Sequence, residues 1–232
     1  MKKNPWTGAL FDAAEDFRGL LSKGYPEKAS LKLVGDHFAL DTVQRMILFR
    51  GVSGRAAAAA RKARLVRSVA GLACAVDGYN VLFSIQNYLL GRPLFIADDG
   101  VVRDAGGSYG RVANQGIFEK AMLLFADGLT ATGAASVSVF LDSPVSHSGQ
   151  HREELESLLR ERLPSAVSVV KSADFMLVSL GSGNKLSAAI ATSDSAVIDR
   201  SGGPVFDLSR FIIERAFSNR WERLFSESRD LH

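Results

Sequence analysis

From residue 73 onward, four short apolar runs each end at an aspartate or lead directly into one, and this repetition constrains the fold most. The first is Ala73-Cys74-Ala75-Val76, closed by Asp77 and followed by Gly78-Tyr79-Asn80. The second, Ser136-Val137-Ser138-Val139-Phe140-Leu141, closes on Asp142. The third, Val167-Ser168-Val169-Val170, leads through Lys171-Ser172-Ala173 to Asp174. The fourth, Ala188-Ala189-Ile190-Ala191, passes through Thr192-Ser193 to Asp194. Such runs read as strands buried on both faces, the pattern of a parallel sheet.

Helical segments fall between the runs: residues 79–90, residues 114–130 with Ile117, Ala121, Leu124 and Phe125 on one face, residues 151–163 stopped before Pro164, and a segment from Phe175 to Leu180 ended by Gly181-Ser182-Gly183. Strand–helix alternation of this kind predicts an α/β class with helices on both faces of the sheet. Residues 95–104 read as a hairpin turning at Asp99-Gly100, and Gly106-Gly107-Ser108-Tyr109-Gly110 as a glycine-rich lead-in. Pro204-Val205-Phe206 reads as a short strand. Asp207 then caps a last amphipathic helix expected to run through Phe211, Ile212, Trp221 and Leu224.

In a parallel sheet the strand exits share one rim, where ligands of open α/β sheets bind. One aspartate after a strand is an ordinary cap or loop residue. Four converging carboxylates repel one another unless cations sit among them. Hard oxygen donors suit Mg²⁺ or Mn²⁺, and magnesium bridges carboxylates to phosphate oxygens, which fits phosphodiester cleavage.

The first third is helical. Leu10, Phe11, Ala14, Phe17, Leu20 and Leu21 recur at helical spacing; Gly24 suits a left-handed cap, and Pro26 cannot continue the helix. A second helix is expected over residues 27–37, and Asp41 caps a third through Val43, Met46, Ile47 and Phe49. Two short helices with a tight connection resemble a helix-turn-helix, but any small bundle looks the same, and packing is the role read here. The alanine run 56–60 and the basic residues after it read as a helical connector. The expected division is a helical domain with its connector at 1–67 and an α/β domain at 68–232.

The formal net charge is only +3, yet no acid falls between Asp41 and Asp77, where Arg45, Arg50, Arg55, Arg61, Lys62, Arg64 and Arg67 all lie. Such a stretch follows a polyanion, RNA or DNA, or else is a face balanced by acids elsewhere in the fold. Arg45, Arg50, Arg61, Lys62, Arg64 and Arg67 are the nucleic-acid candidates. No apolar run approaches the roughly 20 residues that span a bilayer, and Asp12, Glu15 and Asp16 follow the N-terminal lysines too soon for a signal peptide. A cytoplasmic protein with no membrane partner is expected, and a homo-oligomer is left open. The single cysteine, Cys74, lies mid-strand and reads as a buried, inert thiol.

Other motifs carry less. Gly181-Ser182-Gly183-Asn184-Lys185 lacks the spacing of a phosphate loop and reads as a helix cap. His147 and His151 are four apart, but Gly149 and the serines between them suggest a loop and helix start, hence surface histidines. The serines flanking His147 have no evident base–acid pair for acyl transfer. Trp6, Trp221 and Phe225 read as core anchors.

Val76-Asp77-Gly78-Tyr79-Asn80-Val81 resembles the opening motif of the NYN branch of PIN-like nucleases. Phe140-Leu141-Asp142, Ala173-Asp174 and Ala191-Thr192-Ser193-Asp194 fall where that superfamily carries its later acids, so the resemblance spans roughly residues 72–199. The N-terminal stretch, from Leu20-Leu21-Ser22-Lys23-Gly24-Tyr25-Pro26 to Arg45-Met46-Ile47-Leu48-Phe49-Arg50, is similar to an archaeal and bacterial family that joins a small helical domain to a PIN-like one. The resemblance implies a metal-dependent ribonuclease using Mg²⁺ or Mn²⁺. Asp77, Asp142 and Asp194 would be central metal ligands, with Asp174 completing the cluster. Asn80, Ser143, Thr192 and Ser193 would support them, and Asp104 and Asp199 are further candidate acids. Many PIN domains carry a glutamate in the cluster, and the acids here are all aspartates. The alternatives are a catalytically silent nucleic-acid-binding or scaffold protein and a small-molecule phosphohydrolase. Against the haloacid-dehalogenase variety of the latter, Tyr79 stands two residues after Asp77, where that variety needs a second aspartate.

Overall fold

The N-terminal helices begin where the sequence supplies caps. The Thr7 hydroxyl accepts from the Leu10 N–H at the start of α1 (Gly8–Ser22). Gly24 follows the helix with φ +79, the left-handed geometry expected of it. Then come α2 (Glu27–His37) and α3 (Thr42–Gly51). At α3, Asp41 accepts from the Gln44 N–H and the Gln44 side chain accepts from the Asp41 N–H, a complete capping box. The alanine run forms α4 (Arg55–Lys62). The helix stops there, and Leu65–Val66 form a short strand, β1, inside what reads as a helical connector. β-branched Val66 suits the strand, which also gains a partner in the sheet.

The computed structural model describes residues 4–105, 112–181, 188–218 and 220–225. Two units divide it: the first comprises Met1–Ala63, Arg92–Gly107 and Arg220–His232, the second Arg64–Gly91 and Ser108–Asn219. The expected division lay at 67/68; residues 92–107 and 220–232, placed by that reading in the α/β domain, group here with the N-terminal helices.

The first unit adds β3 (Leu94–Ile96), β4 (Val102–Asp104) and β9 (Glu222–Arg223) in a three-stranded sheet of order β4-β3-β9. The segment around Trp221 and Leu224 is therefore strand and loop, not a continuation of the last helix. Leu10, Phe17, Ile47, Leu48, Phe95 and Leu224 form its core. Trp6 packs edge-on against Phe95 with centroids 5.8 Å apart, and the Arg18 guanidinium lies over the Phe225 ring. A side chain on Gly51 would strike the Phe95 ring and Leu224, so glycine there leaves room for both side chains against the helix.

The second unit contains β2 (Ala73–Asp77), α5 (Gly78–Leu89), α6 (Gln115–Ala131), β5 (Ser136–Asp142), α7 (Ser148–Leu159), β6 (Ser165–Val170), α8 (Ala173–Gly181), β7 (Ala188–Ala191), α9 (Ser195–Arg200), β8 (Val205–Phe206) and α10 (Leu208–Ala216). Its six strands, all parallel, run in the order β1-β8-β7-β2-β5-β6. The class is the expected one: a parallel sheet flanked by helices, with an all-helical stretch before it. Helices α5, α6, α7 and α10 pack together, and α8 packs with α9. The core joins Val76, Val139 and Leu141 of the sheet to Leu82, Phe118, Phe125 and Ile212 of the helices. Full burial of each such side chain stabilises by about 1.5–3 kcal/mol. Cys74 is buried in β2, and burial pushes its thiol up to about 12, consistent with the inert role.

Candidate functional site

The chain leaves β2 toward β5 and β6, then returns to the other side of β2 to lay down β7 and β8. The winding therefore reverses between β2 and β7, and at such a switch point the connections diverge and open a crevice beyond the strand ends. Asp77 is the last residue of β2 and Asp194 follows β7 by three residues; Asp142 ends β5, and Asp174 stands in the first turn of α8. Helix α8 packs against β2, β5, β7 and α9, which brings Asp174 to the same rim.

Each carboxylate is held by local structure. Asp77 caps α5, its Oδ1 accepting from the Asn80 N–H at 3.3 Å. Its Oδ2 accepts from the Thr192 hydroxyl at 3.1 Å. That hydroxyl in turn accepts from the Asp194 N–H at 3.2 Å, tying the β2 and β7 exits together. The Asn80 side-chain oxygen accepts from both the N–H and the hydroxyl of Ser193, at 2.8 and 2.9 Å. Asp194 caps α9 through the N–H groups of Ala196 and Val197. Asp142 accepts from the Ala173 N–H at 2.8 Å and anchors the start of α8. Ser143 is exposed, its N–H bonded to the Val170 carbonyl at 2.8 Å. Gly78 lets α5 start against β5: a side chain there would meet Leu141 at 2.6 Å and Val139 at 2.9 Å.

Electrostatics connects the four acids. Burial pushes Asp77 up to about 7; Asp174 and Asp142 push the same way, while bonds from Asn80 and Thr192 only partly offset the shift. Asp174 is also raised, by burial first, then by Asp194 and Asp142, with Arg200 opposing. Asp174, which the resemblance adds last, thus interacts with each of the other three. Among the described residues, no group of three or more His, Cys, Asp or Glu side chains that could hold a metal ion is assembled. Asp142 and Asp194 are each turned toward backbone N–H groups.

Two groups next to this rim are not legible as a site in the sequence. The Tyr79 hydroxyl lies 2.9 Å from His151 Nδ1, and His151 is buried against Phe118. This overturns the surface reading of His151; His147 is exposed as expected. Burial, then the Asp142 charge, raises the Tyr79 phenol. The signal available was the helical spacing of His151 with Leu155 and Leu159, all buried.

The basic stretch is largely committed to internal contacts. Arg45 pairs with Asp36 at 2.9 Å and donates to the Leu40 carbonyl. Arg50 pairs with Asp104 at 3.0 Å. Arg61 is buried, donating to the Ser53 hydroxyl at 2.7 Å and facing Asp99 at 3.5 Å. Arg64 donates to the carbonyls of Gly203 and Ile198 and to the Ser201 hydroxyl. Lys62 and Arg67 are exposed. Of the two readings of this stretch, balance by acids elsewhere describes Arg45, Arg50 and Arg61. Asp104 is correspondingly a buried ion-pair partner in the first unit, and Asp199, exposed on α9, interacts with Arg64. The Gly181–Lys185 motif and the glycine-rich patch from Gly106 lie almost wholly outside the described residues.

No helix among the described residues is long and apolar enough to cross a membrane. No solved structure matches the chain. A protein of Methanocaldococcus jannaschii described as uncharacterized protein MJ0935 is 28% identical over 189 residues, covering 80% of this chain and 87% of that relative. Residues 9–64 match the family described as protein of unknown function DUF434. Residues 66–211, more than half of the chain and all of the strands that build the rim, match a second family. The chain therefore belongs to the family described as domain of unknown function DUF5616.

Proposed function

We propose that this chain is a metal-dependent phosphodiesterase of the PIN-like kind, acting on RNA through the aspartate rim of its parallel sheet. The observation that carries the reading is Asp77: a buried carboxylate at the switch point whose charged neighbours are Asp174 and Asp142, so that burial and like charge act together. Like-charged carboxylates brought together at a sheet rim repel when ionised, and acids with raised pKa at such positions are often found where a cation or a proton is handled.

The donor chemistry fits a hard divalent cation, since every candidate ligand is a carboxylate oxygen. Asp77, Asp142, Asp174 and Asp194 would hold Mg²⁺ or Mn²⁺, which when bound acidifies a water and polarises the phosphate. The chain's own residues position and support. Thr192 keeps Asp77 and the Asp194 backbone in register through one hydroxyl. Asn80 fixes Ser193. Arg200, which interacts with Asp174, supplies positive charge for a phosphate approaching the rim.

One competing reading has an observation behind it. Asp77, Asp142 and Asp194 all serve as caps or anchors for helices, so a non-catalytic nucleic-acid-binding module would also retain them. The deciding assay incubates mixed RNA and DNA oligonucleotides with Mn²⁺ and compares wild type with Asp77→Asn and Asp194→Asn. Manganese-dependent cleavage by the wild type, reduced about 100-fold or more in either variant, is expected for a lost ligand. RNA binding without cleavage supports the competing module; cleavage indifferent to both substitutions removes the rim from the mechanism.

A further inference from the structure

Phe175 is the most exposed large hydrophobic side chain among the described residues, at 68%. Its position follows from helix geometry. Ala173 and Leu177, four apart on α8, are both buried. Phe175 lies two residues from each, about 200° round the axis, so it points away from the stripe that seals the helix to the sheet. Its N–H is held by the Ser172 hydroxyl at 3.2 Å, in the turn anchored by Asp142. It directly follows Asp174, the carboxylate that interacts with all three of the other rim acids. Consecutive Cα atoms are about 3.8 Å apart, so the backbone that carries the ring adjoins the backbone that carries that carboxylate.

An exposed ring costs solvation free energy unless something covers it. Single-stranded nucleic acid is commonly bound by cations that follow the backbone and aromatic faces on which bases stack. The second unit offers that combination beside its acids: Arg200 interacting with Asp174, and Phe175 one residue on.

We infer that Phe175 is a stacking platform for the nucleobase next to the phosphate at the aspartate rim, which makes single-stranded RNA the substrate form. This rests on the phosphodiesterase reading for its ligand. Phe175 is a positioning residue: it contacts a base, and any effect on cleavage comes through substrate placement.

The experiment measures binding of the full-length chain to a short single-stranded RNA and to the same strand carrying abasic sites, by fluorescence anisotropy in Ca²⁺, with cleavage followed in parallel in Mn²⁺. Phe175→Ala is expected to weaken binding of the base-bearing strand about 10-fold while leaving the abasic strand unchanged. Phe175→Trp retains affinity and its added indole emission is quenched on binding; Phe175→Leu, which keeps apolar area but loses the aromatic face, behaves like alanine. Equal losses on both strands, full retention by leucine, or no effect of alanine would each overturn the stacking role. Wild-type cleavage with no effect of Phe175→Ala overturns this inference alone; a wild type that neither binds nor cleaves RNA overturns the phosphodiesterase reading as well. Base-dependent binding without cleavage sustains the platform and moves the chain to the non-catalytic reading.

Discussion

In the first unit Asp99 is buried and clasped by arginines: Arg103 contacts it through two bonds of 2.7 Å and Arg61 faces it at 3.5 Å. In the second unit Asp77 is similarly buried, but its charged neighbours are Asp174 and Asp142. The outcomes are opposite. Burial alone would raise Asp99, yet the arginines hold its carboxyl below the usual range, whereas Asp77 rises to about 7. Asp98 makes the contrast sharper. It also rises to about 7, by burial first as Asp77 does, with the Asp99 charge adding to the rise; but here the Ser53 N–H, Arg103 and Arg61 pull it back. Acids in the first unit are thus held within an ion-pair network, as structural charges are; those on the sheet rim meet more acid.

The largest expected effect tests that distinction directly. Asp99→Asn leaves two buried guanidinium groups without their carboxylate and should cost about 3–5 kcal/mol in urea unfolding. Asp77→Asn should be neutral or stabilising above pH 7, since it removes a buried charge that its neighbours repel. Similar losses for the two would break the comparison.

Next in size is a dependence on pH. Asp77 and Asp98 both have folded values of about 7, above the ordinary aspartate value of 3.8. Between those values the folded chain binds more protons than the unfolded one, so their contribution to stability is complete below pH 4 and fades as pH rises toward 7. Each group contributes a slope of up to about 1.4 kcal/mol per pH unit. Asp77→Asn should remove its share, as read from unfolding curves at pH 5, 6 and 7; an unchanged slope would show that Asp77 does not titrate there.

His151 acts in the other sense. Burial, with His147, lowers its folded value below 6.5. The unfolded chain then binds the extra proton, and this contribution is lost as pH falls below 6.5. Tyr79→Phe, which removes the 2.9 Å bond to His151, should cost about 1 kcal/mol. The smallest effect is expected from Arg45→Ala, whose partner Asp36 is exposed: within about 0.5 kcal/mol.

How much of this was legible in sequence follows from what each feature depends on. The strands ending at Asp77, Asp142 and Asp194 announce themselves because burial on both faces demands unbroken apolar runs. Asp41 and Asp207 mark helix starts because capping needs short polar side chains at fixed positions. The failures lie where a distant partner decides. Leu65–Val66 becomes a strand because Val205–Phe206 lies alongside. Glu222–Arg223 does so because Phe95–Ile96 is there to receive it. Arg50 and Arg61 resemble nucleic-acid contacts until Asp104 and Asp99, some forty to fifty residues on, come against them. The acids of the rim were found from their positions after strands; that Asp174 links the other three depends on where α8 packs, which no local pattern records.

The first unit's discontinuity bears on the order in which the chain is made. Its core needs Phe95 and Leu224 beside the N-terminal helices. Those helices precede residues 92–107 and 220–225 in the chain, so their core cannot close until those residues have been added. The sheet needs only residues 64–91 and 108–219, and domains generally fold as units during synthesis. A chain ending at residue 218 would carry every strand of the rim, while the core of Phe17, Ile47 and Phe95 would lack Leu224 and the short strand beside it.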